Sequence, residues 1–198
     1  SEHEIAFRGT HRFVPRLGAH IDNEKPSTES RELSSVGTYL VTGFRGLGFV
    51  FIEWMIRQGA RNFALVSRTG ELPEELADRV NVLTTRGCQF RFFSADAGRY
   101  NELKAVVDEI DSSMPELKGV IHAAGVIEAR TLTELNQTEF LRILNPKVKG
   151  AWNLHLLTQH KTLDCFILFS SASTLIGLSG QGSYVAANAF LDTLASSR

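Results

Sequence analysis

The chain has 198 residues, 43% hydrophobic and 22% charged, with a formal net charge of −1, the balance of a globular domain long enough to bury a core. A charge so near zero offers no bulk field for nucleic acid or an anionic membrane, and no apolar run reaches the ~18 residues of a membrane span. Two cysteines, Cys88 and Cys165, make no disulfide framework and fit a reducing cytoplasm, and the amino end shows no signal-peptide pattern.

Residues 1–20 hold one strand-like piece, Arg12–Leu17. Residues 21–36 are polar, with Pro26 and four serines, and are expected to be a linker. From Gly37 the texture changes. Apolar runs predict strands at 38–42, 62–67, 89–94, 118–122 and 163–170. Helical periodicity predicts helices near 46–58, 74–87, 99–112, 134–159 and 181–197, the fourth opened by a capping box of Asn136 and Glu139. Strands that are apolar throughout and alternate with helices imply an α/β fold with a parallel sheet covered on both faces. Right-handed crossovers give a doubly wound sheet with strand order 3-2-1-4-5. Ligands of such sheets sit beyond the carboxyl ends of the strands.

Those ends carry chemistry in turn. The first strand runs into Thr42-Gly43-Phe44-Arg45-Gly46-Leu47-Gly48, where glycines let backbone approach a pyrophosphate at a helix N-terminus. The second ends in Ser67-Arg68, and a basic residue there suits the 2′-phosphate of NADPH rather than the free ribose of NADH. The third ends in Asp96-Ala97, where an adenine or ribose contact falls. The fourth ends in His122-Ala123-Ala124-Gly125, mostly small residues that let a cofactor lie against the backbone. The fifth runs into Ser170-Ser171-Ala172-Ser173, followed by Tyr184 and Asn188 four apart on one helix face. Lys147 follows Pro146 in the fourth helix, a proline suited to starting a new helical turn.

The stretches LVSRTG, GVIHAAGV, NPKVKGAWNLH, FILFSSAS and GQGSYVAANAFLDTLA resemble the short-chain dehydrogenase/reductase family, and within it the ketoreductase domain of type I modular polyketide synthases. The resemblance covers residues 37–198. Asn188 stands four after the tyrosine, where the wider family has its lysine, and Lys147 lies upstream, as in polyketide synthase ketoreductases. Lys147 to Ser171 spans 24 positions and Ser171 to Tyr184 spans 13, as in that group. The resemblance implies a Rossmann-type fold and reduction of a β-ketoacyl thioester, carried on acyl carrier protein, to the β-hydroxyacyl thioester.

It further implies that Tyr184 donates the proton, Lys147 lowers the tyrosine pKa and contacts the cofactor, Ser171 polarises the substrate carbonyl, and Asn188 positions Lys147 or a relay water. Tyr184 also belongs to the implied cofactor site. The amino end, EIAFRGTHRFVPRL, resembles the tail of the structural subdomain that precedes such catalytic halves, and the family continues beyond Arg198 into further strands and a lid. The implied partners are the carrier protein and other domains of one homodimeric, cytoplasmic synthase, with no nucleic acid, membrane or metal.

Two departures stand out. The family's glycine loop reads TGGxGGxG, whereas this one is a residue shorter and carries bulky Phe44 and Arg45. The shortened loop, with a ring where phosphate must approach, implies an alternative, a degenerate ketoreductase serving as a non-reducing structural domain. The Leu-Asp-Asp that marks one hydroxyl configuration is Ile127-Glu128-Ala129 here, and the tryptophan that marks the other falls at Ile176.

Overall fold

The computed structural model describes residues 6–14, 32–131 and 133–198; the rest of the amino-terminal piece and most of the expected linker lie outside the described residues. Two compact units divide at Arg31/Glu32. In the first, β1 (Ala6–Arg8) and β2 (His11–Phe13) form an antiparallel hairpin turning at Gly9. The predicted strand at 12–17 therefore starts a residue earlier, and its last three positions lie outside the described residues.

In the second unit a five-stranded parallel sheet is built from β3 (Thr38–Thr42), β4 (Asn62–Ser67), β5 (Gln89–Ser94), β6 (Leu117–His122) and β7 (Cys165–Leu168). The spatial order is β5-β4-β3-β6-β7, which is 3-2-1-4-5 when counted from β3. Successive strand residues point to opposite faces, so one strand serves two cores. Leu40 joins Ala64, Val66, Phe93 and Val120 in one layer, which α3 (Tyr100–Ser113) and α4 (Gln137–Thr158) cover through Leu103, Val107 and Leu154. Tyr39 and Val41 join Phe63, Leu65 and Ile121 in the other, covered by α1 (Leu47–Arg57) and α2 (Ala77–Thr85) through Phe49, Ile52 and Val80. A third cluster, Ala151 with Leu191 and Leu194, seats α6 (Gly182–Ser197) on α4.

Several expectations are corrected. Residues 32–36, expected to belong to the linker, are part of the second unit, held to it at Leu33 and Ser34: the Leu33 N–H donates to the Gln58 carbonyl at 2.8 Å, and Tyr39 Oη donates to the Ser34 carbonyl at 3.3 Å. The helix expected at 74–87 is a 3-10 turn, Glu74–Leu76, followed by α2. β7 is half the predicted length, because the Ser170 N–H turns back to the Leu168 carbonyl, and a one-turn helix α5 (Ser173–Ile176) follows. Pro146 starts nothing: α4 runs through it unbroken, losing one N–H to the Arg142 carbonyl. The capping box opens α4 as expected, with the Glu139 N–H donating to Asn136 Oδ1 at 2.9 Å and the Asn136 N–H donating to Glu139 Oε2 at 3.3 Å.

Candidate active site

A cleft of about 420 Å³ opens at the carboxyl ends of the strands. It is lined by Thr42 to Arg45 after β3, Ser67 and Arg68 after β4, Asp96 and Ala97 after β5, and Ala123 to Gly125 after β6. Predicted residues from the first four strand ends thus converge on one space, as parallel strands between crossover helices require, while Ser171, Lys147, Tyr184 and Asn188 are not among its lining. Gly43 makes the close approach. It has φ +74, and a Cβ there would lie 2.4 Å from the Ala124 nitrogen. Gly48 packs helix against loop, since a Cβ on it would meet the Gly43 carbonyl oxygen at 2.1 Å. Gly46 caps α1, and Leu47 projects from its first turn, 73% exposed, without lining the cleft.

Phe44 is where the structure departs most from expectation. Its ring is only 2% exposed and meets Phe92 edge-on at 5.8 Å, inside the α1/α2 core. The bulky residue is turned down under the loop by the hydrophobic gain of burial. Arg45 stays at the rim, 3.7 Å from Glu75, in an exposed pair worth little to stability. Gly43→Ala is expected to cost about 2 kcal/mol from the left-handed backbone alone, with the Ala124 clash added. Urea denaturation measures it; a wild-type midpoint would show that the β3 and β6 loops part freely.

Other strand-end residues hold local geometry as well as facing the cleft. Ser67 Oγ accepts the Gly70 N–H at 3.0 Å, and Asp96 Oδ1 accepts the Gly98 N–H at 2.9 Å. Arg68 is exposed at the rim, its carbonyl taking the Ser94 hydroxyl at 3.0 Å.

The four catalytic candidates lie on α4, the turn after β7, and α6. Lys147 is 4% exposed; its Nζ donates to the Phe169 carbonyl at 2.7 Å and stands 5.5 Å from the Tyr184 ring centroid. Burial pushes its pKa down from the ordinary lysine value to about 8. Asn188 is fully buried and donates from Nδ2 to the Tyr184 carbonyl at 2.9 Å, bracing the helical turn that carries the tyrosine. Its partner is therefore the tyrosine backbone rather than Lys147. Its Oδ1, with Ser173 Oγ, is a buried polar atom lacking a hydrogen bond. Ser171 Oγ accepts the Ser173 N–H at 3.2 Å, which leaves its hydroxyl proton to donate elsewhere.

His122 does not line the cleft. It is 1% exposed, bonded through Nδ1 to Thr42 Oγ1 at 2.6 Å and through Nε2 to the Lys147 carbonyl at 3.3 Å. Two residues that sequence reasoning missed complete the buried face of α4. Asn153 donates to the Ala97 carbonyl at 2.9 Å, and a Cβ on Gly150 would lie 2.7 Å from the His122 ring. The signal was available: Lys147, Gly150 and Asn153 recur every third residue along one helix face.

A family model described as the KR domain matches residues 37–198. The chain is 39% identical over 200 residues to a 6-methylsalicylic acid synthase of Arthrobotrys oligospora, an alignment covering 94% of this chain and 11% of that protein. It is 38% identical over 175 residues to the mellein synthase of Phaeosphaeria nodorum, covering 82% of this chain and 10% of that one. Among solved structures it superposes on an A-type ketoreductase from a modular polyketide synthase with TM-score 0.86 and 31% identity, covering 98% of this chain and 41% of that one. A ketoreductase from the first module of phoslactomycin biosynthesis in Streptomyces sp. HK803 gives TM-score 0.85 and 28% identity, covering 98% and 44%. The chain thus spans about a tenth of the length of these curated relatives and under half of the solved chains.

Proposed function

The chain belongs to the KR domain family, and we propose that it reduces a β-ketoacyl thioester, held on acyl carrier protein, to the β-hydroxyacyl thioester with NADPH. The observation that carries this reading is the buried Lys147 ammonium, which stands beside the Tyr184 ring and packs against Gly125 of the cleft wall. The cleft fits a nicotinamide dinucleotide: Gly43 supplies close backbone, Arg68 a cation for a 2′-phosphate, and Asp96 and Ala97 a seat for the adenosine. When bound, NADPH supplies the hydride.

The residues of the chain supply placement and the proton. Ser171, its lone pair occupied by the Ser173 N–H, donates its hydroxyl proton to the substrate carbonyl and polarises it. Tyr184 gives its phenolic proton to the oxygen as the carbon is reduced, so the carbonyl becomes a carbinol. Lys147 stabilises the phenolate left behind until solvent returns the proton, and Asn188 braces the turn that carries the tyrosine. Thr42 lines the cradle, Gly46, Gly48 and His122 shape it from behind, and Leu47 projects away from it. The burial of Phe44 weighs against one of the two grounds for the non-reducing alternative, the ring in the phosphate path; the other, the loop one residue short, is what NADPH binding tests.

The two curated relatives named above are synthases many times longer than this chain, which supports a domain working beside others of one multidomain synthase. Among the described residues no helix is long and apolar enough to cross a membrane.

The test combines turnover with cofactor choice. NADPH oxidation with a β-ketoacyl thioester is expected from the unaltered protein, and its absence would refute the reading. Arg68→Ala is expected to weaken NADPH by about 1.5–3 kcal/mol, the range of a charged hydrogen bond, and to leave NADH nearly unchanged. Equal losses for both cofactors, by titration calorimetry, would remove Arg68 as the phosphate reader.

A further inference from the structure

We propose that His122 is a positioning residue, tying the glycine loop to the helix that carries Lys147. His122 ends β6, paired in register with Thr42 of β3 on one side and Leu168 of β7 on the other. Its ring bridges two elements. The Lys147 carbonyl only accepts, so Nε2 carries the hydrogen, and Nδ1 is then an acceptor for the Thr42 hydroxyl. The neutral ring that this arrangement needs is the one the site favours, because burial and then the Lys147 charge hold its pKa down near 4.

The backbone of His122 reaches the same lysine from the other end. Its carbonyl accepts the Phe169 N–H at 3.0 Å, and the Phe169 carbonyl accepts the Lys147 ammonium at 2.7 Å. The root of the lysine and its tip are therefore both fixed to one residue. Gly150 makes room for the ring, since any side chain there would begin 2.7 Å from it. Pro146, one residue before Lys147, removes an intrahelical N–H, and the bond from His122 steadies the helix at that turn. Thr42 begins the cradle, so cofactor loop and lysine share one rigid joint.

What Lys147 does rests on the reductase reading; where it is held does not. The experiment compares His122→Leu with His122→Gln in the full-length protein. Leucine fills space without either bond, whereas glutamine offers one donor and one acceptor. Rates are normalised to the folded fraction from near-UV circular dichroism. His122→Leu is expected to lower kcat roughly 10- to 100-fold, the scale of a small misplacement of a reacting group, with KM for the thioester little changed. Lys147 labelling by trinitrobenzenesulfonate, followed by mass spectrometry, should rise several-fold as the lysine loosens. His122→Gln should recover most of both.

A leucine variant with wild-type kcat and labelling would overturn the proposal. So would a glutamine variant as impaired as leucine, because ring volume would then be the cause. If the unaltered protein reduced nothing, the reductase reading would fall, and the labelling contrast would still decide the role of His122.

Discussion

Tyr184→Phe is expected to lower β-ketoacyl thioester reduction by about 10²- to 10⁴-fold, the contribution of a positioned general acid, while NADPH affinity stays near that of the unaltered protein. The two effects separate because phenylalanine keeps everything except the hydroxyl. Lys147 faces the ring at 5.5 Å, and Asn188 braces the backbone of this turn, so neither contact needs the phenol oxygen. The strand-end loops that line the cleft include no residue of α6, so the cradle is untouched. Stopped-flow NADPH oxidation gives the rate, and nucleotide fluorescence titration gives the affinity. Turnover unchanged in the variant would remove Tyr184 as the proton donor and with it the proposed reaction. Loss of NADPH binding in step with turnover would instead make the tyrosine part of the cradle.

Much of the fold was legible because its signals are local. Each of the runs TYLVT, NFALVS and LKGVIH is apolar enough to be buried on both faces, and a parallel sheet with covering helices follows from that alone. The capping box was legible for the same reason, since Asn136 and Glu139 reach each other within one turn. Boundaries set by tertiary contact were not. Nothing local marks Leu33 as anchored; it finds its partner, Gln58, across the first βα unit. Pro146 is a local breaker, yet packing of α4 on α6 and on the sheet outweighs one missing hydrogen bond.

The site divides along the same line. Gly43, Arg68 and Asp96 could be placed because a strand end determines where a loop lies. The direction of a side chain depends on what lies beneath it. Phe44 in sequence is a bulky residue in a glycine loop, and only Phe92 on β5 shows that its ring has an apolar seat below. His122 in sequence heads a run of small residues and joins them in the expected cofactor contact. In the structure its ring points the other way, into α4, because Gly150 leaves a gap there. Asn153 went unnoticed because a buried amide within α4 has no motif of its own; its meaning is the Ala97 carbonyl it satisfies.

Lys147→Met should separate stability from activity more sharply than any other change in the chain. The lysine is 4% exposed, and burial lowers its pKa from the ordinary 10.5 to about 8. In the unfolded chain the ammonium keeps its proton up to the ordinary value, so between about 8 and 10.5 the unfolded state binds more protons than the folded one. Stability therefore rises with pH through that window, and below it the folded protein carries a constant penalty of roughly 3 kcal/mol. Methionine fills the same channel without charge and removes the penalty. It also removes the charged hydrogen bond to the Phe169 carbonyl, worth about 1.5–3 kcal/mol. The variant is thus expected to be as stable as the unaltered protein or more stable by up to about 1.5 kcal/mol at pH 7, and less stable at pH 10, where the penalty has nearly gone and the lost bond remains. Reduction should meanwhile fall by about 10²-fold or more, because the phenolate left on Tyr184 loses its cation. Urea denaturation at pH 7 and pH 10, run beside the turnover assay, measures both. A stability difference that does not change with pH would mean the ammonium is solvated in the folded protein, and its cost would then have to be sought elsewhere. A rise in stability together with the loss of turnover would identify Lys147 as a charge that the fold tolerates for the sake of the reaction.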